Sequence, residues 1–273
     1  AGNPYPPDDV RYTPTIDESI ALNNAVTVES MRNFHKQFYG ASNAELSIVG
    51  DFDADAMRAL VTELFGNWKS PSAYARVPDP YRTIKPEAIR LIVPDKANAI
   101  LIGNEKWQFN DSSPDYPALL IASFIFGDSS SSRINERLRQ KDGLSYGAGT
   151  FFRPNSIEAN STFGMYAIFA PQNLDKVRTA FAEEIARALK DGFSDKEVTD
   201  AIAGVLQERR LGRTEDGSIA GTLTTQEYLG RTFALSAAVD AAIAKLTTAE
   251  INAAFRKYMK PADFSYAYAG DFK

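Results

Sequence analysis

The sequence predicts an α+β fold: a mostly antiparallel sheet with helices packed on one face. Three observations predict it. From about residue 85 onward, short apolar or aromatic runs of strand length alternate with longer helical stretches. Two capping-box patterns, Ser194-Asp195-Lys196-Glu197 and Thr247-Thr248-Ala249-Glu250, mark helix starts. A helix-then-strand unit also recurs, Thr27–Asp53 matching Thr247–Lys273 at a constant offset of 220 with no gap.

The elements follow in order. Ala88–Val93 and Ala99–Trp107 read as strands, and Asp115–Phe126 as an apolar helix. A short charged helix covers Ser132–Gln140. Leu144–Phe152 and Glu158–Phe169 are two further strands. A helix spans Leu174–Lys190, with Gly192 as its C-cap. The helix opened by Ser194 runs past Arg210 and bends near Gly212 or Gly217. The helix opened by Thr247 leads into a last strand, Tyr266-Ala267-Tyr268-Ala269, which ends in Gly-Asp-Phe. Its counterpart in the first copy is Leu46-Ser47-Ile48-Val49, also ending in Gly-Asp-Phe.

Four of the 27 aligned positions are identical: Thr27/Thr247, Gly50/Gly270, Asp51/Asp271 and Phe52/Phe272. Under this repeat, residues 85–222 are a front portion of 138 residues that the first copy lacks. Residues 1–76 then read as the tail of a first domain, 77–84 as a linker and 85–273 as a nearly complete second domain. The Pro- and Ser-rich stretch from Lys69 to Pro80 has no apolar periodicity and suits a boundary.

Composition narrows the function. The chain has 273 residues, 44% of them hydrophobic, which is ample for a core. A net charge of −5 with both signs interspersed gives no basic stripe for nucleic acid and no polybasic run for an anionic membrane. Cysteine is absent, so disulfides, thiolate metal sites and cysteine nucleophiles are excluded. That absence suits a periplasmic or other extracytoplasmic compartment. Ala1–Pro7 has neither a charged n-region nor an apolar h-region, and the chain reads as a piece of something longer.

The most informative stretch is Asp128–Gly149. A serine run, Ser129–Ser132, leads into the charged helix. The helix stops at Gly143, and a strand carrying Tyr146 follows at once. On spacing alone, Arg133, Glu136, Arg137, Arg139, Lys141 and Asp142 read as a solvated helix face. Tyr146 reads as a packing residue of a strand, and the serines as caps. The patch is not a phosphate loop, since it lacks the lysine and opens no helix.

This order resembles the second-domain signature of the pitrilysin/insulinase family of zinc metallopeptidases. That signature has a small-residue turn, a helix, an arginine near its end, a Gly-Leu pair, and a tyrosine seven residues after the arginine. Arg139, Gly143-Leu144 and Tyr146 match it. Glycines often stand in the family where Asp128-Ser129-Ser130 stand here, which bears on the shape of that turn. Asn3-Pro4-Tyr5, Phe38-Tyr39, Leu46–Asp53 and Leu60–Trp68 are similar to the last third of a first-type domain, so the resemblance covers nearly the whole chain.

The resemblance implies that Tyr146 donates to the oxyanion formed when zinc-bound water attacks a peptide bond. It implies that Arg139 grips a substrate backbone carbonyl, with Ser131, Ser132 and Gly147 as further substrate contacts. The substrate would add as an edge strand. The family's H-x-x-E-H metal motif is absent, and His35 is the one histidine, so this chain is expected to bind no metal. Zinc is expected on another domain or subunit, which would be the partner alongside a peptide. The alternative is a non-catalytic structural or substrate-holding subunit of the same family.

Overall fold

The computed structural model describes residues 3–272. They fall into two compact units, each described by itself. One comprises Asp79–Gly212 together with the chain from Arg231 onward; the other comprises the chain up to Pro78 together with Arg213–Gly230.

The larger unit is built on one five-stranded sheet of β1 (Ala88–Ile92), β2 (Ala99–Trp107), β3 (Ser145–Arg153), β4 (Ser161–Phe169) and β5 (Ser265–Gly270). Its order is β1-β5-β2-β4-β3. β2, β4, β3 and β5 pair antiparallel; β1 pairs parallel with β5. The sheet is therefore mixed but mostly antiparallel, as expected. β2 has the bounds the sequence predicts, and every second residue along it, from Ala99 to Trp107, is buried. β4 starts three residues later than expected. Asn155 Oδ1 accepts from the amides of Ile157 and Glu158, and that turn occupies the residues before Ser161.

Helices cover one face of the sheet. They are α4 (Tyr116–Ser123), α5 (Arg133–Asn135), α6 (Leu174–Asp191), α7 (Asp195–Gly212), α9 (Phe233–Ile243) and α10 (Thr248–Tyr258), with α8 (Asp216–Tyr228) assigned to the smaller unit. A π-helical turn, Phe124–Asp128, extends α4, and another, Glu136–Lys141, extends α5. Ala99, Leu101, Trp107, Phe163, Met165 and Phe169 bury one side of β2 and β4. Trp107 stacks on Phe163 with ring centroids 5.1 Å apart, and Phe126 meets Phe255 at 5.3 Å. The opposite sheet face carries Ile100, Ile102 and Tyr166, each more than a third exposed.

The break expected near Gly212 lies at residues 213–215, between α7 and α8. The Thr247 capping box forms as expected, with Thr247 and Glu250 satisfying each other's backbone amides. Ser194 and Glu197 do the same at the start of α7. α9 carries no capping box, and its alanine-rich sequence gave no periodic signal. It is fixed by an Arg209–Asp240 ion pair that joins it to α7.

The smaller unit holds α1 (Ile16–Asn24), α2 (Val28–Phe38), α3 (Ala54–Phe65) and α8. α1, α2 and α3 bury no residue. Leu46–Val49, expected as a strand, forms no ladder among the described residues. A strand needs a neighbour for its amides and carbonyls, and among the described residues none pairs with this stretch.

Candidate functional site

The segment from α5 to β3 is anchored on one side and bare on the other. Ile134 and Leu138, four apart, are fully buried and fix the helix to the core. Arg133 is clamped to Glu197, its Nε donating to Oε1 at 2.6 Å and a second guanidinium nitrogen to Oε2 at 2.8 Å. The same guanidinium donates to the Gly192 carbonyl and lies 4.8 Å above the Phe193 ring. Burial alone would raise the Glu197 carboxyl; the Arg133 bonds and the Ser194 amide and hydroxyl outweigh it and hold it down at about 2. Arg137 is paired too, with Asp142 at 2.6 Å and Glu183 at 2.8 Å, and the Asp142 bond raises its pKa.

Arg139 differs. It is exposed, and its side chain has no hydrogen bond or ion pair among the described residues. The helix ends just beyond it. Asp142 N donates to the Arg137 carbonyl at 3.0 Å, and Leu144 N reaches back to the Leu138 carbonyl at 2.8 Å. Gly143, with φ of +58°, makes that reversal possible without a Cβ penalty. Arg139 and Tyr146 therefore flank one tight turn.

β3 then begins with a bulge. Ser145 stands opposite Phe169 and Gly147 opposite Ile168, so Tyr146 is the extra residue. Ser145 is buried, and its hydroxyl lies 2.7 Å from the Ile168 carbonyl and 2.8 Å from the Gly147 carbonyl. Tyr146, released from the ladder, is 84% exposed. Its hydroxyl has no partner among the described residues. Nothing lies within 4 Å of where a Gly147 side chain would start, whereas at Gly149 the Gly127 carbonyl is 2.8 Å away. Gly149 thus serves close packing of the π turn on β3, whereas Gly147 faces open space.

The serines divide. Ser131 is exposed, with its hydroxyl 3.5 Å from that of Ser129. Ser132 is 1% exposed and its hydroxyl has no partner among the described residues. It supplies its carbonyl to the Glu136 amide, but its side chain does not cap the helix. Of the five residues singled out from the sequence, Arg139, Tyr146, Ser131 and Gly147 reach solvent and Ser132 does not. Sequence reasoning missed Ser145, which fastens the bulge; a serine before the tyrosine is no signal without knowledge of the strand opposite.

The donor set does not suit zinc. Among the described residues no group of three or more histidines, cysteines and carboxylates could hold a metal ion. His35 is stacked on Tyr39 at 4.9 Å and beside Trp68 at 6.0 Å. Among the described residues no helix is long and apolar enough to cross a membrane.

Residues 25–205 match the family described as Peptidase M16 inactive domain. The chain belongs to that family. This Peptidase M16 inactive domain is 22% identical over 216 residues to an uncharacterized zinc protease of Streptomyces coelicolor, covering 75% of this chain and 45% of the relative. It is 27% identical over 161 residues to an uncharacterized zinc protease of Rickettsia felis, covering 59% and 37%. The chain thus spans less than half the length of these curated relatives. The fold is shared with a crystal structure of a peptidase M16 inactive domain from Pseudomonas fluorescens, with a TM-score of 0.75 and 19% identity over 90% of this chain and 58% of that one. A protease from Helicobacter pylori gives a TM-score of 0.74 at 14% identity, covering 90% and 60%. The family match places the chain among the pitrilysin-like zinc metallopeptidases, as an inactive domain.

Proposed function

We propose that this domain is the non-zinc part of a zinc-dependent endopeptidase, holding a peptide and steadying its scissile carbonyl while the hydrolytic centre lies on another domain or subunit. One observation carries the reading. Arg133 and Arg137 are each locked to carboxylates, yet Arg139 beside them is left free, and Tyr146 is pushed out of its ladder with a free hydroxyl. A fold that pairs its other charges here leaves two strong donors unspent on either side of one turn.

The chemistry suits those donors. A planar guanidinium offers a fork to a peptide carbonyl, and a phenol offers one neutral O–H on a rigid ring. A donor aimed at an oxygen that gains negative charge contributes about 10²–10³ in rate. Tyr146 takes that role, Arg139 orients the neighbouring backbone, and Ser131 and Gly147 line the approach. The zinc-protease names of its relatives support the reading.

The test is peptide hydrolysis by this domain joined to a zinc-bearing half. Tyr146→Phe should lower turnover sharply. Equal turnover would remove the oxyanion role and leave the alternative, a structural or substrate-holding subunit.

A further inference from the structure

The sheet of the larger unit ends on two different edges. β3 is the edge that carries Tyr146; β1 is the other, four strand spacings or roughly 19 Å away. β1 pairs with β5 on one side and, among the described residues, with no strand on its outer side. The Glu87 carbonyl accepts from the Tyr266 amide, and the Val93 amide donates to the Gly270 carbonyl. Alternate residues of a strand bond to the same neighbour. The amides and carbonyls of Ala88, Arg90 and Ile92 therefore point outward, away from β5.

The two faces of that edge differ in chemistry. Ile89 and Leu91 stand level with Ala267 and Ala269, and so share the open sheet face with Ile100 and Ile102. They are 45% and 54% exposed. Arg90 stands level with Tyr268, on the face where Arg178 of α6 lies over the Tyr268 ring. The Arg90 guanidinium is 4.9 Å from the centre of the Phe272 ring, and with Lys96 and Gln172 it lines a cavity of about 490 Å³. Asp175 and Asp271 line the same cavity, but Asp175 faces Arg178 at 3.6 Å. The side chains of Arg90 and Lys96 have no hydrogen bond or ion pair among the described residues. Pro86 and Pro94 bracket the strand and confine pairing to its five residues.

We propose that β1 is a docking strand for an extended segment of another polypeptide that carries an acidic side chain between two apolar ones. The segment adds as a sixth strand. Its backbone pairs with Ala88, Arg90 and Ile92. Its central carboxylate, on the same face as Arg90, meets that guanidinium and Lys96, while its apolar neighbours lie beside Ile89 and Leu91. The two unpaired cations select this occupant. A second copy of the chain, pairing antiparallel over all five residues, sets Arg90 against Arg90, and like charges directly opposite are destabilising. One strand does not lie on both edges of a sheet, so the proposal is independent of the roles given to Arg139 and Tyr146.

NMR titration of the deuterated 273-residue chain decides it, with the capped peptide Thr-Val-Glu-Val-Thr and the same peptide carrying lysine at its centre. The glutamate peptide should move the amides of Ala88, Arg90 and Ile92, leave those of β3 unmoved, and bind at least ~10-fold more tightly than the lysine peptide. Arg90→Glu should reverse that preference. Ala88→Pro, which removes one outward amide and keeps the bonds to β5, should abolish binding of both peptides. Ala88 and Arg90 are exposed, so both variants should melt as the wild type does. The two peptides on the wild-type chain test the proposal without any variant. No movement at β1 up to ~1 mM peptide overturns it. So does equal affinity for the two peptides, or movement at β3 instead.

Discussion

The Ser145 hydroxyl lies 2.7 Å from the Ile168 carbonyl, across the β3–β4 ladder at the step where Tyr146 is the surplus residue. The same hydroxyl lies 2.8 Å from the Gly147 carbonyl, so it ties both sides of the bulge. Bulges re-aim side chains, and this one turns a strand tyrosine into an exposed phenol. Ser145→Ala should lower stability by about 1 kcal/mol, the usual net worth of one hydrogen bond. In the assembled protease it should also lower turnover, and Ser145→Thr should restore part of it. Urea unfolding and peptide hydrolysis on the same samples check this; lost stability with unchanged turnover would detach Ser145 from the tyrosine's position.

The clamp between Arg133 and Glu197 holds the anchored side of the helix. Removing one partner of a partly buried pair leaves the other uncompensated. Glu197 is about a third exposed, so the cost is discounted for solvent screening. Arg133→Met should destabilise by about 2 kcal/mol, and the double variant Arg133→Met with Glu197→Gln should recover part of that. A shift in urea midpoint with unchanged slope is the expected record.

Gly143 should tolerate asparagine better than alanine or valine, because its φ is +58°. Gly143→Val should cost more than about 1 kcal/mol, and Gly143→Asn less, by thermal unfolding. Equal losses would mean that the turn relaxes rather than resists.

Glu105 gives the protein a specific pH dependence. The residue is 1% exposed; one carboxyl oxygen accepts from the Lys260 amide and the other has no hydrogen-bond partner among the described residues. Burial pushes it up to about 8, against the opposing pull of Trp107 and the Lys260 amide. In the unfolded chain such a group titrates near ~4.3. Between those values the folded protein holds a proton that the unfolded chain has released. This contribution to stability is therefore whole at low pH, declines as pH rises through that window, and is gone above about 8. Glu105→Gln should flatten the decline, matching wild type near ~pH 4 and exceeding it by a few kcal/mol above ~pH 8. Unfolding midpoints across pH check it; parallel curves for the two proteins would contradict it.

How much was legible in the sequence follows from the range of each interaction. β2 and the helices opened by Ser194 and Thr247 were legible, because a short apolar run and capping boxes act within a few residues. The parallel β1–β5 pairing was not, because it joins residues 178 positions apart, such as Ala88 and Tyr266. The arginine–tyrosine pair was legible as letters. What distinguishes Arg139 from Arg133 and Arg137 was not: their partners Glu197 and Glu183 lie 64 and 46 positions away. Leu46–Val49 carries a strand's letters but forms no ladder among the described residues, since pairing belongs to two segments and not to one.

The most direct measurement is the steady-state cleavage of a peptide by the assembled protease carrying Tyr146→Phe. The account predicts kcat lower by about 10²–10³ with KM little changed, because the lost hydroxyl acts only as charge develops on the carbonyl oxygen. An unchanged kcat, or a loss confined to KM, would contradict it.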